Sequence, residues 1–516
     1  MTTSRSSQAL PSFWIGICFL APLMLLAGTE ERTWTDQQGR KLDGSLSSIR
    51  SGAVEILLAK DRRSVTIPRQ LLSPTDQRYI EIWEELGFGK ELPRWPAELG
   101  PLLNFTPRVE SIQGAKGWIY TTPNYHFHCD VELAASLVKE YSLAFEGTFH
   151  AIQKLPLRLD PKPLEDKFNV RLMGSREDYL RTGAPKGSAG VYLVHSREIL
   201  VPMDSLGVRA VGNRVAVDPK SYDSGTLVHE ITHQVMHDWL DVLPVWFVEG
   251  FAEYMAAVPC NQGRFYFRDI HQGILQRLIE KHHVQKNRAA TVLVDLAPPE
   301  QIMSLTHQQW SAALSNEPNA ALNYRSAMML VYFFIHLDGS TNGTALATYL
   351  RQARAGQKEM ESFVANYNGA AEDYNASLQA YNQAVQTYNQ DLQRFRKTVN
   401  DYNSRVRKYN EQVEKGLPVN SLIEVGPEPS APPSPPRKPE MPTILSTGNL
   451  DGGTVDLGEA EKRAREALTR MRSPVELWKQ MAAALEQRGI IIQPANAISG
   501  ASLAAYDNLR PASGRK

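Results

Sequence analysis

Five consecutive residues carry the strongest chemical signal in this chain of 516 residues. They read His229-Glu230-Ile231-Thr232-His233. Four residues make about one helical turn, so both imidazoles point the same way on a helix and can share one metal ion. Glu230 then lies beside that ion and can take a proton from a metal-bound water molecule. The pattern predicts a Zn²⁺ site with two histidine ligands and a glutamate base.

The flanking residues predict two helices that can complete such a site. Apolar residues surround the motif, and Pro244 ends the first helix. Residues 246–254 read Trp-Phe-Val-Glu-Gly-Phe-Ala-Glu-Tyr and predict a second helix. A carboxylate on that helix can be the third ligand and leave a fourth position open, as in catalytic zinc sites. Glu249 and Glu253 both lie on this helix.

The two segments together resemble the gluzincin metallopeptidases, most of all the bacterial peptidase MA-like domains and more distantly aminopeptidase N. The resemblance covers about residues 118–356. It implies that Glu249, which precedes a glycine, is the third zinc ligand. It also implies that Glu253, one turn on, orients a ligand histidine, with a role as the third ligand left as the alternative.

A tyrosine further along the chain fits the same resemblance. Residues 323–327 read Asn-Tyr-Arg-Ser-Ala and open an apolar helix. In aminopeptidase-like gluzincins a tyrosine at this place donates to the tetrahedral intermediate, which implies that Tyr324 stabilises the oxyanion. An ordinary aromatic residue at a helix start is the alternative. His237, one turn beyond His233, is expected to be a surface residue or to lie behind the ligands, and a place beside the metal is the alternative. The chain lacks a Gly-x-Met-Glu-Asn sequence, which disfavours an aminopeptidase.

The amino terminus has the features of an export signal. Arg5 precedes an apolar run over residues 13–27, and small residues follow it. About 15 apolar residues suit the core of a signal peptide, whereas a membrane span needs about 20. We expect residues 1–28 to direct export to the periplasm, the cell envelope or the medium, either cleaved or kept as a signal anchor. No second apolar run is long enough to cross a bilayer.

The balance of charges bears on the binding partners, and the cysteines bear on a possible disulfide. Basic and acidic residues number 56 each, which argues against a general nucleic-acid binder and against a protein held to membranes by charge. The expected partner, a peptide or protein substrate, follows from the gluzincin resemblance. Cys129 and Cys260 remain outside the signal. Export permits a disulfide between them, and two buried free thiols are the equal alternative.

Residues 31–84 predict a small β-rich unit. Turn signals separate four short strands, at about residues 32–35, 42–50, 53–59 and 64–68. Ser73 and Pro74 then begin a helix. The order of these features resembles the Sla-type homology domain, an SH3-like barrel. The resemblance implies a small barrel that binds short peptides, and a passive appendage is the alternative.

A linker is expected over residues 85–117, because they are rich in Pro, Gly and Trp. Residues 118–365 are expected to form the zinc domain, with an edge strand near residues 189–193 along which a substrate lies extended.

An aromatic residue recurs every seven positions after the zinc domain. The series is Tyr367, Tyr374, Tyr381, Tyr388, Phe395, Tyr402 and Tyr409. Apolar residues four positions after each give the a/d spacing of a coiled coil. We expect residues 366–415 to be a projecting coiled coil that joins two chains or folds against a later helix, and one helix packed on its own domain is the alternative. A proline-rich linker over residues 416–455 and helices over residues 456–510 follow.

These patterns predict an α+β protein with a gluzincin-like metallopeptidase domain, a small amino-terminal β-barrel and an appended coiled coil. The expected activity is peptide hydrolysis by an exported zinc enzyme, acting as an endopeptidase or an exopeptidase. The rival is an envelope scaffold or peptide-binding protein with a structural or idle zinc site.

Overall fold

The computed structural model of the chain describes residues 29–90, 92–100, 105–111, 117–163, 165–186, 188–211, 214–217, 224–285, 291–339, 342–447 and 457–495. The expected signal, residues 1–28, lies outside these ranges, as do residues 496–516. The described chain is mixed α and β. Its residues fall into two compact units, one from Met1–Tyr349 with Glu466–Lys516 and the other from Leu350–Arg465.

The first unit begins with a small antiparallel sheet. Its elements are β1 (Arg32–Thr35), β2 (Lys41–Arg50), β3 (Ala53–Leu58), β4 (Ser64–Pro68) and helix α1 (Pro74–Glu85). The strands pair in chain order, and Ser73 caps α1 by accepting the backbone N–H of Asp76. Trp34 and Ile80 lie in the buried cluster that joins sheet and helix. The predicted strands are present, and closure of this sheet into a barrel stays a prediction.

A six-stranded sheet follows. Its elements are β5 (Arg108–Ser111), β6 (Trp118–Thr121), β7 (Tyr125–Cys129), α2 (Ala135–Lys154), β8 (Phe168–Met173), α3 (Arg176–Arg181), β9 (Val191–Leu193) and β10 (Glu198–Pro202). The strand order is β5-β6-β7-β8-β10-β9. Strand β8 is parallel to both of its neighbours, and β9 is an antiparallel strand at the sheet edge. The predicted edge strand near residues 189–193 therefore corresponds to β9.

The segment over residues 85–117 is not a linker along its whole length. Strand β5 lies in this range and pairs with β6, and Leu99 forms a bridge with Phe265. The ring of Trp95 packs edge to face against Phe267. The prediction of a linker is wrong for these stretches, because proline and glycine content carries no information about distant pairing partners.

Two helices that carry the zinc motif lie in the middle of the first unit. The elements of this region are β11 (Val208–Val211), β12 (Arg214–Val217), α4 (Ser224–Val235), α5 (Val245–Ala257), β13 (Cys260–Asn261), β14 (Arg264–Phe265), α6 (Ile270–Glu280), β15 (Val292–Leu296), α7 (Pro299–Ser304), α8 (His307–Ala313) and α9 (Glu317–Tyr332). A π-helical turn, Phe333–Leu337, continues α9.

The second unit is dominated by one long helix, α10 (Thr344–Glu414), and ends beyond the short helix α11 (Thr443–Thr447). The 71 residues of α10 correspond to about 105 Å at 1.5 Å per residue. The helix is continuous through residue 365, so the boundary expected between the zinc domain and the heptads falls inside it.

The carboxy-terminal elements begin in the second unit, and the chain re-enters the first unit at Glu466. They are α12 (Leu457–Thr469), α13 (Pro474–Glu486) and β16 (Ile490–Pro494). Strand β16 pairs in parallel with β15, about 200 residues earlier in the chain. The region expected to be helical over residues 456–510 therefore also contains a strand.

Cys129 and Cys260 are both free thiols in the structure, so the disulfide alternative is not realised. Among the residues that the structure describes, no helix combines the length and apolarity needed to cross a membrane.

Candidate metal centre

Helix α4 is fixed against the large sheet by apolar packing and by one buried amide. Leu227 and Ile231 are buried. The side-chain amide of Gln234 donates to the carbonyl oxygens of Asn169 at 2.7 Å and Arg197 at 3.0 Å. These bonds tie the turn of α4 that carries His233 to β8 and to the β9–β10 turn.

Three donor atoms from α4 and α5 converge at one point. His229 Nε2 lies 3.0 Å from His233 Nε2, and Glu249 Oε2 lies 3.4 Å from each of them. Zinc bonds of 2.0–2.1 Å at tetrahedral angles would hold their ligand atoms about 3.3 Å apart. The donor set therefore has both the composition and the spacing of a three-ligand zinc site.

The burial of Glu249 Oε2 is readily explained if a cation binds to it. The side chains of His229, His233 and Glu249 are only 10%, 12% and 19% exposed. Glu249 Oε2 is buried and has no hydrogen-bond donor in the described part of the chain. A buried carboxylate oxygen without a donor is costly, and a metal ion would satisfy it.

Electrostatics keep this carboxylate ionised. Burial would raise the pKa of Glu249, but the imidazoles of His233 and His229 outweigh burial and hold that pKa well below its usual value. Burial would likewise lower the pKa of His229, yet Glu249 and Glu253 raise it well above the usual value. The carboxylate of Glu249 is therefore buried and negatively charged near neutral pH, which favours binding of a cation.

Glu253 lies behind the donor set and contacts His229 from the other side. Its Oε1 is 3.0 Å from His229 Nδ1. The Arg277 guanidinium on α6 donates to both oxygens of Glu253, at 2.7 and 2.9 Å. His282 Nε2 is 3.5 Å from Oε2. Both oxygens of Glu253 are thus engaged by basic side chains, and Glu253 lies outside the donor cluster. Its role in orienting His229 stays a prediction, as does the alternative that it is the third ligand.

Glu230 lies between α4 and the edge of the large sheet. Its Oε2 accepts the backbone N–H of Tyr192 in β9 at 3.0 Å. This N–H points away from β10, on the open side of the edge strand. Nearby, a Cβ on Gly190 would be 3.2 Å from the carbonyl oxygen of Leu200, which explains a glycine there. Glu230 thus directly follows His229 in the sequence but is not part of the donor cluster.

Tyr324 reaches the centre from α9. Its ring lies edge to face with His229, 6.1 Å between centroids, and with Trp310, 5.3 Å between centroids. Burial, together with the carboxylate of Glu249, raises the pKa of the Tyr324 phenol, so it keeps its proton at neutral pH. The helix begins at Glu317, two turns before the expected start, so this tyrosine lies in the middle of α9.

A glycine allows α9 to come this close. A Cβ built on Gly250 would lie 2.6 Å from the carbonyl oxygen of Ala327, nearer than side chains approach backbone. Gly250 directly follows Glu249, and Ala327 is about one turn after Tyr324. The close contact of α5 with α9 therefore sets the distance between a ligand and the tyrosine.

His237 lies outside the donor cluster, as its position beyond α4 requires. Its Nδ1 is 2.6 Å from the Tyr192 hydroxyl. Three groups near the donors were not predicted from the sequence: Arg277, His282 and the backbone N–H of Tyr192. Of these, only Arg277 could have been identified from the local sequence. It lies on the same buried face of α6 as Ile270, Gly273 and Ile274. A buried arginine needs an anionic partner.

Comparison of the chain with family models, with curated proteins and with solved structures gave no match. The gluzincin resemblance therefore stays a prediction.

Proposed function

We propose that the chain is an exported zinc-dependent peptidase of the gluzincin type. The observation that carries the proposal is the set of three donor atoms on two helices, 3.0–3.4 Å apart. Two imidazoles, one carboxylate and an open fourth position are the ligand set of catalytic zinc. A closed structural site would instead supply four protein ligands, and only three donors cluster in the described residues.

Zinc bound by His229, His233 and Glu249 would supply a Lewis acid that lowers the pKa of a water molecule to about 7. Glu230 accepts the proton of the attacking water and returns it to the leaving amine. Tyr324 donates its O–H to the oxyanion that develops on the substrate carbonyl. The raised pKa of this phenol supports that role, because an ionised phenol has no proton to donate.

The edge strand suits an extended peptide substrate. β9 has one side without a strand partner among the described residues, and Glu230 lies on that side. A peptide that adds to β9 by backbone hydrogen bonds would bring its carbonyl groups past Glu230. The substrate would also compete with the Glu230 carboxylate for the Tyr192 N–H, which frees the base when substrate binds.

Metal content tests the site. We expect about one zinc per chain in the wild type by elemental analysis, and a loss of zinc in His233→Ala and in Glu249→Ala. His307→Ala, which removes an exposed imidazole, is the matched control and should keep its zinc. A Glu249→Ala protein with full zinc content would remove the proposed third ligand.

Turnover tests the catalytic role. We expect Glu230→Gln to keep zinc and to lose peptide hydrolysis by at least about 100-fold, because it removes the general base. Mass spectrometry of digests of unfolded proteins and of peptides with free or blocked termini measures the loss and separates endopeptidase from exopeptidase action. Zinc binding by the wild type without any cleavage would favour the scaffold with an idle site.

A further inference from the structure

The aromatic seam of α10 is covered along its middle and open at its ends. Its heptad residues from Ala371 to Tyr409 are all half-buried. Residues on either side of this stretch are exposed, with Tyr367 38%, Val364 44% and Val413 50% accessible. Equivalent seam positions of one helix therefore differ in exposure. This difference indicates that another part of the chain packs over the middle of the seam.

The proline-rich residues after α10 bury one face with a repeat of about three. The half-buried prolines are Pro429, Pro433, Pro436, Pro439 and Pro442, whereas Pro427, Pro432 and Pro435 are exposed. A polyproline II helix has three residues per turn, so residues three apart share a face. The segment expected to be a free linker over residues 416–455 therefore has a buried side.

Two contacts show where the proline-rich segment meets α10 and in which direction it runs along that helix. The backbone N–H of Ile423 donates to Gln412 Oε1 at 2.9 Å. A Cβ built on Gly426 would lie 3.3 Å from Arg405 Nη1. The chain reverses after α10 at Gly416, which has a φ of +69°. Three residues forward in the segment thus match seven residues back along α10.

The two repeats have nearly the same length. Seven residues of α-helix rise about 10.5 Å, and three residues of polyproline II helix rise about 9.3 Å. One turn of the segment therefore advances by about one heptad. Proline rings on aromatic side chains are also the usual contact by which aromatic grooves bind such segments.

We propose that residues 422–442 form a polyproline II strand that packs antiparallel on the aromatic seam of α10, with about one proline in each heptad. The partner of the seam is then this chain's own proline-rich segment, and the middle heptads are closed to a second copy. This hairpin competes with the self-association that the heptads alone predict, and it is independent of the metal centre.

Photo-crosslinking in the full chain tests the contact and its register. With Tyr388 replaced by p-benzoylphenylalanine, we expect a link within one chain to about residues 431–436. With Tyr402 replaced in the same way, the link should move towards Leu422 by about six or seven residues. Intact mass separates links within a chain from links between chains, and peptide mapping locates them.

The same label at Gln390, an exposed position about half a turn from Tyr388, is the control and should give no link to the proline-rich residues. Circular dichroism of each labelled chain checks that α10 is intact. Links between two chains, a link from Tyr388 that maps elsewhere, or no link from either tyrosine in a helical chain would overturn the proposal.

Oligomeric state provides a second measurement. We expect the wild type to sediment as one chain at all concentrations tested. Replacing Pro433, Pro436 and Pro439 together by glycine weakens the cover, and we expect this variant to self-associate or to lose helix. A wild-type dimer that forms through α10, or a triple variant identical to wild type in mass, helicity and cross-links, would contradict the hairpin.

Discussion

At the scale of single residues, a buried chain of charged side chains lies behind the candidate metal centre. Arg277 holds Glu253, and Glu253 holds His229. Burial would raise the pKa of Glu253, but the Arg277 guanidinium outweighs it and keeps the pKa far below the usual value. The orientation of a ligand thus depends on an arginine that does not reach the donor atoms.

Removing that arginine should weaken the metal site. We expect Arg277→Met to lower zinc affinity by about 10–100-fold, because Glu253 loses the partner that fixes its position. Arg277→Lys keeps the positive charge but loses the bidentate contact with Glu253. Its zinc affinity should lie between those of the wild type and Arg277→Met. Zinc affinity is measured by competition with a chelator, at a temperature where circular dichroism shows each variant folded.

Arg181→Met, which removes an exposed arginine on α3, is the matched control and should bind zinc like the wild type. If folded Arg277→Met binds zinc as tightly as the wild type does, Arg277 does not position the metal site.

A second residue makes the stability of the first unit depend on pH. His336 Nε2 lies 2.8 Å from the Tyr254 hydroxyl. Burial, together with the positive charge of Arg488, lowers the pKa of His336 from 6.5 to about 4. The unfolded chain therefore binds this proton first as pH falls. The free energy of unfolding should decrease by about 3 kcal/mol between pH 6.5 and 4, and be unaffected by this group above pH 6.5.

Urea unfolding across this pH range measures the effect. His336→Gln should flatten the dependence by the stated amount, while the exposed control His307→Gln should leave it unchanged. Equal slopes in wild type and His336→Gln would show that this histidine does not carry the effect.

At the scale of elements, the contact between α5 and α9 brings Glu249, the proposed third ligand, close to Tyr324. Gly250→Ala should separate these helices, since its Cβ would meet the Ala327 carbonyl at 2.6 Å. We expect a loss of about 1–3 kcal/mol in unfolding free energy. We also expect peptide hydrolysis to fall more than zinc content does. Thermal unfolding and the assays above provide the measurements.

Gly369 supplies the control for this prediction. It lies in α10, and a Cβ built on it would meet no atom within 4 Å. Gly369→Ala should therefore stabilise the helix by about 0.5–1 kcal/mol. A Gly250→Ala protein as stable as wild type would show that the helices can separate at no cost.

Local sequence patterns predicted where helices and strands occur better than they predicted which elements pair or pack with each other. The spacing of His229 and His233, the caps and the turn signals are short-range properties, and the strands of the small sheet and both motif helices formed close to the expected residues. Strand β5, strand β16 and the arginine behind Glu253 depend on residues far away in the chain. Neither composition nor periodicity encodes which distant edge or carboxylate a segment will meet.

At the scale of the whole molecule, the first unit is discontinuous in sequence. Leu350–Arg465 separates Met1–Tyr349 from Glu466–Lys516. The returning segment contributes Trp478 and Leu485 to the core and closes the β15–β16 pair. Insertion of one unit within another is tolerated where the flanking ends lie close together.

The closing strand should contribute to stability in proportion to its burial. Ile490 is fully buried, while Ile491 on the other face of β16 is only partly buried. We expect Ile490→Ala to cost about 2–5 kcal/mol and Ile491→Ala clearly less. Urea unfolding measures both. Equal effects would mean that β16 does not use its buried face for packing.

The pairing of β16 with β15 also has a consequence for the order of synthesis. The two strands are 198 residues apart at Asp295 and Gln493. At about 5–20 residues per second, a ribosome needs about 10–40 s to pass from one to the other. During that interval β15 has an open edge beside the apolar side chains of Val292 and Val294. The β15–β16 pair can therefore form only after Ile490–Pro494 has been synthesised, and the open edge of β15 is exposed to aggregation until then.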